Sequence, residues 1–150
     1  MRDSIYHTNK IYAIITYNVI FIVKSKTKMS NYAVYYHPDT VNTSVEFDTT
    51  RKGAAIATRL QQRGVTVQQP TPLTEQEAKS IHTAEYVDAI LTGEPLDLAE
   101  SQGFNWDAAT WRSVSAQNGA MRDATLSALT GIPAYALGAG FHHARADTGA

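Results

Sequence analysis

The sequence predicts an α/β fold with a parallel sheet. Short β-prone runs, such as residues 32–36, alternate with segments of helical periodicity. The helical segments carry matching start and stop signals, among them a Thr74/Glu77 pair and glycines at 64, 93 and 131. The last apolar run, residues 134–137, enters Gly138-Ala139-Gly140, the order found where a parallel strand delivers a loop to the carboxyl edge of its sheet.

A chain of 150 residues, 43% hydrophobic and 18% charged, has the balance of a globular domain with its own core. It contains no cysteine, so disulfides and thiolate metal sites are excluded, and any metal would need histidines and carboxylates. The net charge of −1 is unevenly spread. Residues 1–28 carry five Lys or Arg and one acid, a net +4, while residues 29–150 carry eight bases and thirteen acids, a net −5. A net-acidic body argues against a nucleic-acid module.

Residues 1–28 differ in composition from the rest and are expected to lie outside the fold as an extension. Their apolar run, residues 11–23, is too short for a transmembrane helix, which needs about 20 residues. A basic start and apolar middle also fit a signal anchor, but Lys24, Lys26 and Lys28 follow where a small-residue cleavage site would be expected. Met29 reads as a natural start for a cytoplasmic domain spanning residues 29–150.

Within that domain, residues 32–36 form the expected first strand, ended by His37-Pro38. A helix is expected over residues 49–63, with Asp48 as N-cap and Gly64 in the left-handed position after it. Residues 65–67 are expected as a short second strand, and Pro70 and Pro72 mark a loop. Thr74 and Glu77 form a capping box that starts a short helix over residues 75–80. A second helix is expected over residues 84–91, stopped at Gly93, and residues 96–105 read as irregular. The longest helix is expected over residues 107–129, with Trp111, Val114, Met121, Ala124 and Ala128 as its core stripe. Gly131 and Pro133 end it before the last strand.

The residues that carry chemistry follow that strand: His142 and His143, adjacent, just after the glycines. Histidine titrates near neutrality and can take or give a proton at working pH. An adjacent pair in a bent loop can divide such roles. The same pair is also compatible with a solvated loop or half of a metal site.

The segment from Gly138, GAGFHHARADTGA, resembles the histidine-pair segment of the histone deacetylase family, which includes acetoin-utilization proteins and acetylpolyamine amidohydrolases. Ile81-His82-Thr83-Ala84-Glu85-Tyr86-Val87 resembles the family's V-H-x-x-x-Y-[VI] stretch, and Val45-Glu46 through Arg51 more loosely its H-P-E-x-x-x-R region, with His37-Pro38 out of register. The three occur in family order and cover residues 32–150, the amino-terminal portion of a family catalytic domain.

The resemblance implies a three-layer parallel sheet with helices on both faces, of the arginase/deacetylase type. It implies zinc-dependent hydrolysis of an acetyl-amide, in acetyl-lysine or an acetylated polyamine. His143 would be the base that later protonates the leaving amine, with His142 as its electrostatic partner. Gly140 and Phe141 would border the substrate, and an acid from the region of Asp97, Glu100 and Asp107 would hold its backbone, Asp97 being the first choice. His82 would be a structural residue of a turn. The family's zinc ligands and catalytic tyrosine lie in motifs beyond the matched ones, so no metal ligand is assigned here, and residues 1–150 alone are expected neither to bind zinc tightly nor to hydrolyse acetyl-lysine. A missing carboxy-terminal half is the expected partner, and an open sheet edge without it is an expected aggregation hazard. A non-catalytic interaction module retaining part of the fold is the alternative. An arginase-type manganese hydrolase is disfavoured because clustered Asp and His motifs are absent.

Overall fold

The computed structural model describes residues 32–41, 48–138 and 144–149. The chain runs through strand β1 (Ala33–Tyr35), a single 3-10 turn (Pro38–Thr40), and helices α1 (Asp48–Gln62), α2 (Glu75–Lys79), α3 (Ala84–Thr92), α4 (Leu96–Ala99) and α5 (Thr110–Leu129). Strand β2 (Ala134–Ala136) follows α5. The architecture is α/β, with β1 and β2 parallel and Ala33, Val34 and Tyr35 opposite Ala134, Tyr135 and Ala136. Residues 1–31 lie outside the described residues, as do Val45 and Glu46, so the expected amino-terminal extension and the loose H-P-E match fall there.

β1 is the inner strand. Ala33 donates to the Pro133 carbonyl and Leu137 to the Tyr35 carbonyl on the β2 side, while Val34 and Tyr36 bond to Gln68 on the other side. This third pairing is an isolated parallel bridge between Tyr35 and Gln68, not the strand expected over residues 65–67. The displacement has a local cause. Gly64 takes φ +78 after α1, and the Gly64 and Val65 amides donate back to the Gln61 and Leu60 carbonyls. That is a Schellman closure, so the backbone at Val65 is still finishing the helix and pairing starts only at Gln68. Pro70 then has no amide to continue a ladder.

The side chains of Tyr35, at the end of β1, and Tyr36, just beyond it, reach different helices. The Tyr35 hydroxyl lies 2.8 Å from Ser127 Oγ on α5. On α1, a methyl group added at Gly53 would lie 3.4 Å from the Tyr36 ring and 3.1 Å from the Leu137 carbonyl oxygen. α5 packs against both β1 and β2, while α1 reaches the carboxyl end of the sheet at Leu137. The core beside the sheet is made mostly of small residues, with Ala33 and Val34 of β1, Ala57 of α1, and Ala116, Ala120 and Ala124 of α5 buried, while α3 buries the larger Tyr86, Val87 and Ile90.

The expected stripe on α5 is corrected. The buried face carries Ser113, Ala116, Gln117, Ala120 and Ala124, whereas Met121 is 53% exposed and Ala128 is exposed. Trp111 and Val114 are half-buried and line a cavity instead. Small residues occupy the buried face because the loop before α2 lies directly on the helix. The Leu73 amide donates to the Ser115 carbonyl at 2.9 Å, and a Cβ at Gly119 would collide with the Thr71 carbonyl oxygen and lie 3.0 Å from Pro72 Cα.

Two further boundaries differ from expectation. α4 occupies part of the stretch read as irregular. α5 begins at Thr110, because Asp107 folds back as a cap: its Oδ1 accepts from the Ala109 amide at 2.7 Å and its amide donates to Thr110 Oγ1 at 3.2 Å. The Thr74 capping box is present in both directions. Among the described residues no helix is long and apolar enough to cross a membrane.

Candidate functional site

β2 brings the chain to its carboxyl end at Leu137 and Gly138, and the described chain resumes at Ala144. Gly140, Phe141, His142 and His143 lie outside the described residues. The segment after the pair is tied across the start of α3. The Thr83 amide donates to the Ala146 carbonyl at 2.7 Å and the Gly149 amide to Ser101 Oγ at 2.8 Å. His82 Nδ1 lies 2.7 Å from the Arg145 carbonyl oxygen. A carbonyl only accepts, so Nδ1 carries the proton. The His82 ring also stands edge-on to Tyr86, with centroids 5.6 Å apart. His82 therefore joins the turn before α3 to the segment after the histidine pair, in keeping with a structural role.

Beneath that segment lies a cavity of 380 Å³ between α3, the loop after α4 and the first half of α5. Its aromatic wall is Tyr86, Phe104, Trp106 and Trp111. Trp106 is held on three sides. Its indole Nε1 donates to the Ile90 carbonyl at 2.9 Å, its amide donates to Glu100 Oε1 at 2.9 Å, and its ring packs on Gly93. At Gly93, φ is +83 and a Cβ would lie 2.8 Å from the ring, so both the backbone and the packing require glycine. The Tyr86 hydroxyl accepts from Gln102 Nε2. Among the described residues the polar lining consists of hydroxyls, side-chain amides and His82, with no Asp, Glu, Lys or Arg.

Gln117 connects the cavity to the end of β2. It lines the cavity, and a methyl group at Gly138 would lie 3.3 Å from its Oε1. That oxygen is buried, with no hydrogen-bond partner among the described residues, and Gln117 as a whole is 8% exposed.

The three candidate acids separate clearly. Asp97 is exposed in the first turn of α4 and does not line the cavity. Glu100 caps the Trp106 amide, and Asp107 caps the start of α5. Sequence reasoning did not single out Gln117 or Trp106. The available signal was Gln117-Asn118, two amides interrupting an otherwise small and apolar helix face.

Among the described residues no group of three or more His, Asp or Glu is placed to hold a metal ion. His37 is committed to the fold. Its Nδ1 accepts from the Asp39 amide at 3.1 Å, and its Nε2 lies 3.1 Å from Gln69 Nε2. The described residues therefore do not fit a zinc site.

No protein-family model matches the chain, and no curated protein matches it in sequence.

Proposed function

We propose that the chain carries the amino-terminal portion of a zinc-dependent deacetylase domain, of three-layer arginase/deacetylase type, acting on the acetyl-amide of acetyl-lysine or an acetylated polyamine in the cytoplasm. The observation that carries the reading is the parallel pairing of β1 and β2, which sends the segment containing His142 and His143 from a carboxyl strand end, where α/β enzymes place their chemistry. The packing of α5 against both strands adds support.

In this reading His143 takes a proton from the attacking water and returns it to the departing amine, and His142 supports the charge that forms. Amide cleavage needs that proton, because an unprotonated amine leaves poorly. Gly140 and Phe141 border the substrate. Zinc, when bound, would polarise the acyl carbonyl; the described residues supply no ligand set for it, and no step here is assigned to it.

The test is to express the chain extended through the reading frame that follows it, and to assay zinc content and hydrolysis of an acetyl-lysine peptide and an acetylpolyamine. Hydrolysis that falls about 100-fold or more in His143→Ala is the expected result. A well-folded protein with no hydrolysis, or with activity indifferent to His143→Ala, would overturn the reading. The first of these outcomes would favour a non-catalytic interaction module, for which the exposed apolar side chains Leu126, Leu129 and Ile81 offer a surface.

A further inference from the structure

We propose that residues 144–149 form a strap over the rim of the cavity between α3 and α5, hinged at Gly149 and latched by His82, and that its opening sets access to the aromatic wall. The inference stands apart from the deacetylase reading, since it uses only described residues and none of the histidine pair.

The strap joins two walls of the cavity. On one wall His82 lines the cavity, and its Nδ1–H donates to the Arg145 carbonyl at 2.7 Å. Beside it the Thr83 amide donates to the Ala146 carbonyl, also at 2.7 Å. On the other wall Gln102 lines the cavity, and next to it Ser101 Oγ accepts from the Gly149 amide at 2.8 Å. Ala144, at the head of the strap, is itself part of the lining.

The two ends of the strap are held differently. Gly149 is buried, and a Cβ there would lie 2.5 Å from the Ser101 carbonyl carbon and 2.6 Å from the Gln102 backbone nitrogen. That end is seated by close backbone packing. Ala144, Arg145, Ala146 and Asp147 are exposed, and they are held to α3 by the His82 and Thr83 bonds. A segment with few buried contacts and solvent-facing hydrogen bonds opens at lower cost than the core around it. The Arg145 amide donates to the Thr148 carbonyl at 2.9 Å, so the strap is tied to itself and swings as a preformed turn.

The walls stay in place when it swings. Trp106 is fixed by its bonds to Ile90 and Glu100, and the His82 ring stands edge-on to Tyr86 with or without Arg145 above it. A rigid aromatic wall beneath a lightly held cover is the arrangement of a gate.

The experiment follows the full 150-residue chain by amide hydrogen exchange and by acrylamide quenching of tryptophan fluorescence. The chain's two tryptophans, Trp106 and Trp111, both line the cavity, so quenching reads how open it is. In His82→Ala the Thr83 amide is expected to exchange about fivefold faster, the effect of losing one hydrogen bond, while the Gly149 amide keeps its rate and quenching rises. His82→Asn, which retains an N–H near the position of Nδ1, is expected to behave as wild type. Thr83 exchange unchanged in His82→Ala, or rising equally at Gly149, would overturn the proposal, as would faster exchange without a rise in quenching. If His82→Ala does not fold, the wild type decides. Its Thr83 amide should exchange faster than those of Gly149 and of Gly93, which closes α3 by donating to the Ala89 carbonyl. Equal rates at all three would show that the strap does not open by itself and would overturn the proposal.

Discussion

The two halves of α5 are built on different rules. In residues 110–120 the helix is covered on several sides: Ser113, Ser115, Ala116, Gln117, Gly119 and Ala120 are buried. In residues 121–129 the large apolar residues point outward, with Met121 53%, Leu126 55% and Leu129 76% exposed. The fully buried side chains of the first half are small or polar, with Trp111 and Val114 half-buried at the cavity, and the large apolar side chains of the second half are exposed. Burial here follows how closely the backbone of another segment approaches, not side-chain hydrophobicity. Where residues 71–73 lie against the helix, only small residues fit.

The strongest way to break that contrast is to add bulk where the backbone is closest. Gly119→Val places a branched side chain against the Thr71 carbonyl oxygen and Pro72 Cα, both backbone and unable to rotate away. The expected loss is about 3 kcal/mol, at the upper end of overpacking costs, measured as a lower midpoint in urea unfolding. A variant as stable as the wild type would mean that the loop lifts from α5 without cost and that close approach does not select the small residues.

A second change tests the same half with the opposite sign. Gln117→Leu removes a buried acceptor that has no partner among the described residues and replaces it with a side chain of similar size. Losing an unmet polar atom is expected to raise stability by about 1 kcal/mol. A fall of that size would mean that Gln117 holds a bond that matters to the fold.

These two positions also mark where the sequence was legible. Elements bounded by local chemistry could be read directly: the Thr74 capping box starts α2, Gly64 closes α1 and Gly93 closes α3, each through contacts within a few residues. The parallel sheet was legible from alternation, and β1 and β2 lie within the expected runs. The α5 core was not, because the constraint at Gly119 comes from Thr71, 48 positions earlier, and no periodicity encodes it. The cavity was equally hidden, since its walls come from segments as far apart as Leu73 and Ala144. The histidine pair was legible only as a resemblance, with nothing in its local spacing to set its role.

Glu77 offers a milder test, at the contact between α2 and the second half of α5. Its carboxylate accepts from the Thr74 amide at 2.7 Å and from Arg122 Nη1 at 2.9 Å. The Thr74 backbone N–H, then the Thr74 hydroxyl and Arg122, favour the charged form and lower the Glu77 pKa below its usual 4.5. A carboxyl with a lowered folded pKa adds stability that is present above the unfolded value and is lost as pH falls through the folded one. Glu77→Gln is therefore expected to be less stable than wild type at pH 7, with the gap closing as pH drops below 4.5. The contact is solvent-exposed, so the gap should be small and shrink further in salt. Thermal melts of both proteins across pH read it. A gap unchanged by acid would show that the cap works through the neutral hydrogen bonds alone.

The smallest expected effect is on the bare half. Leu129 is 76% exposed in the last turn of α5, so Leu129→Ser removes little buried surface and leaves the helix end at Gly131 intact. Its stability should stay within about 0.5 kcal/mol of wild type, as for surface positions away from caps and cores. A loss several times larger would mean that this side chain is covered in solution, either by another copy of the chain or by a partner. The two cases separate on dilution, because a self-associated chain loses the extra stability as its concentration falls. Either result would turn the contrast within α5 from packed against bare into two interfaces of different kinds, one within the chain and one between chains.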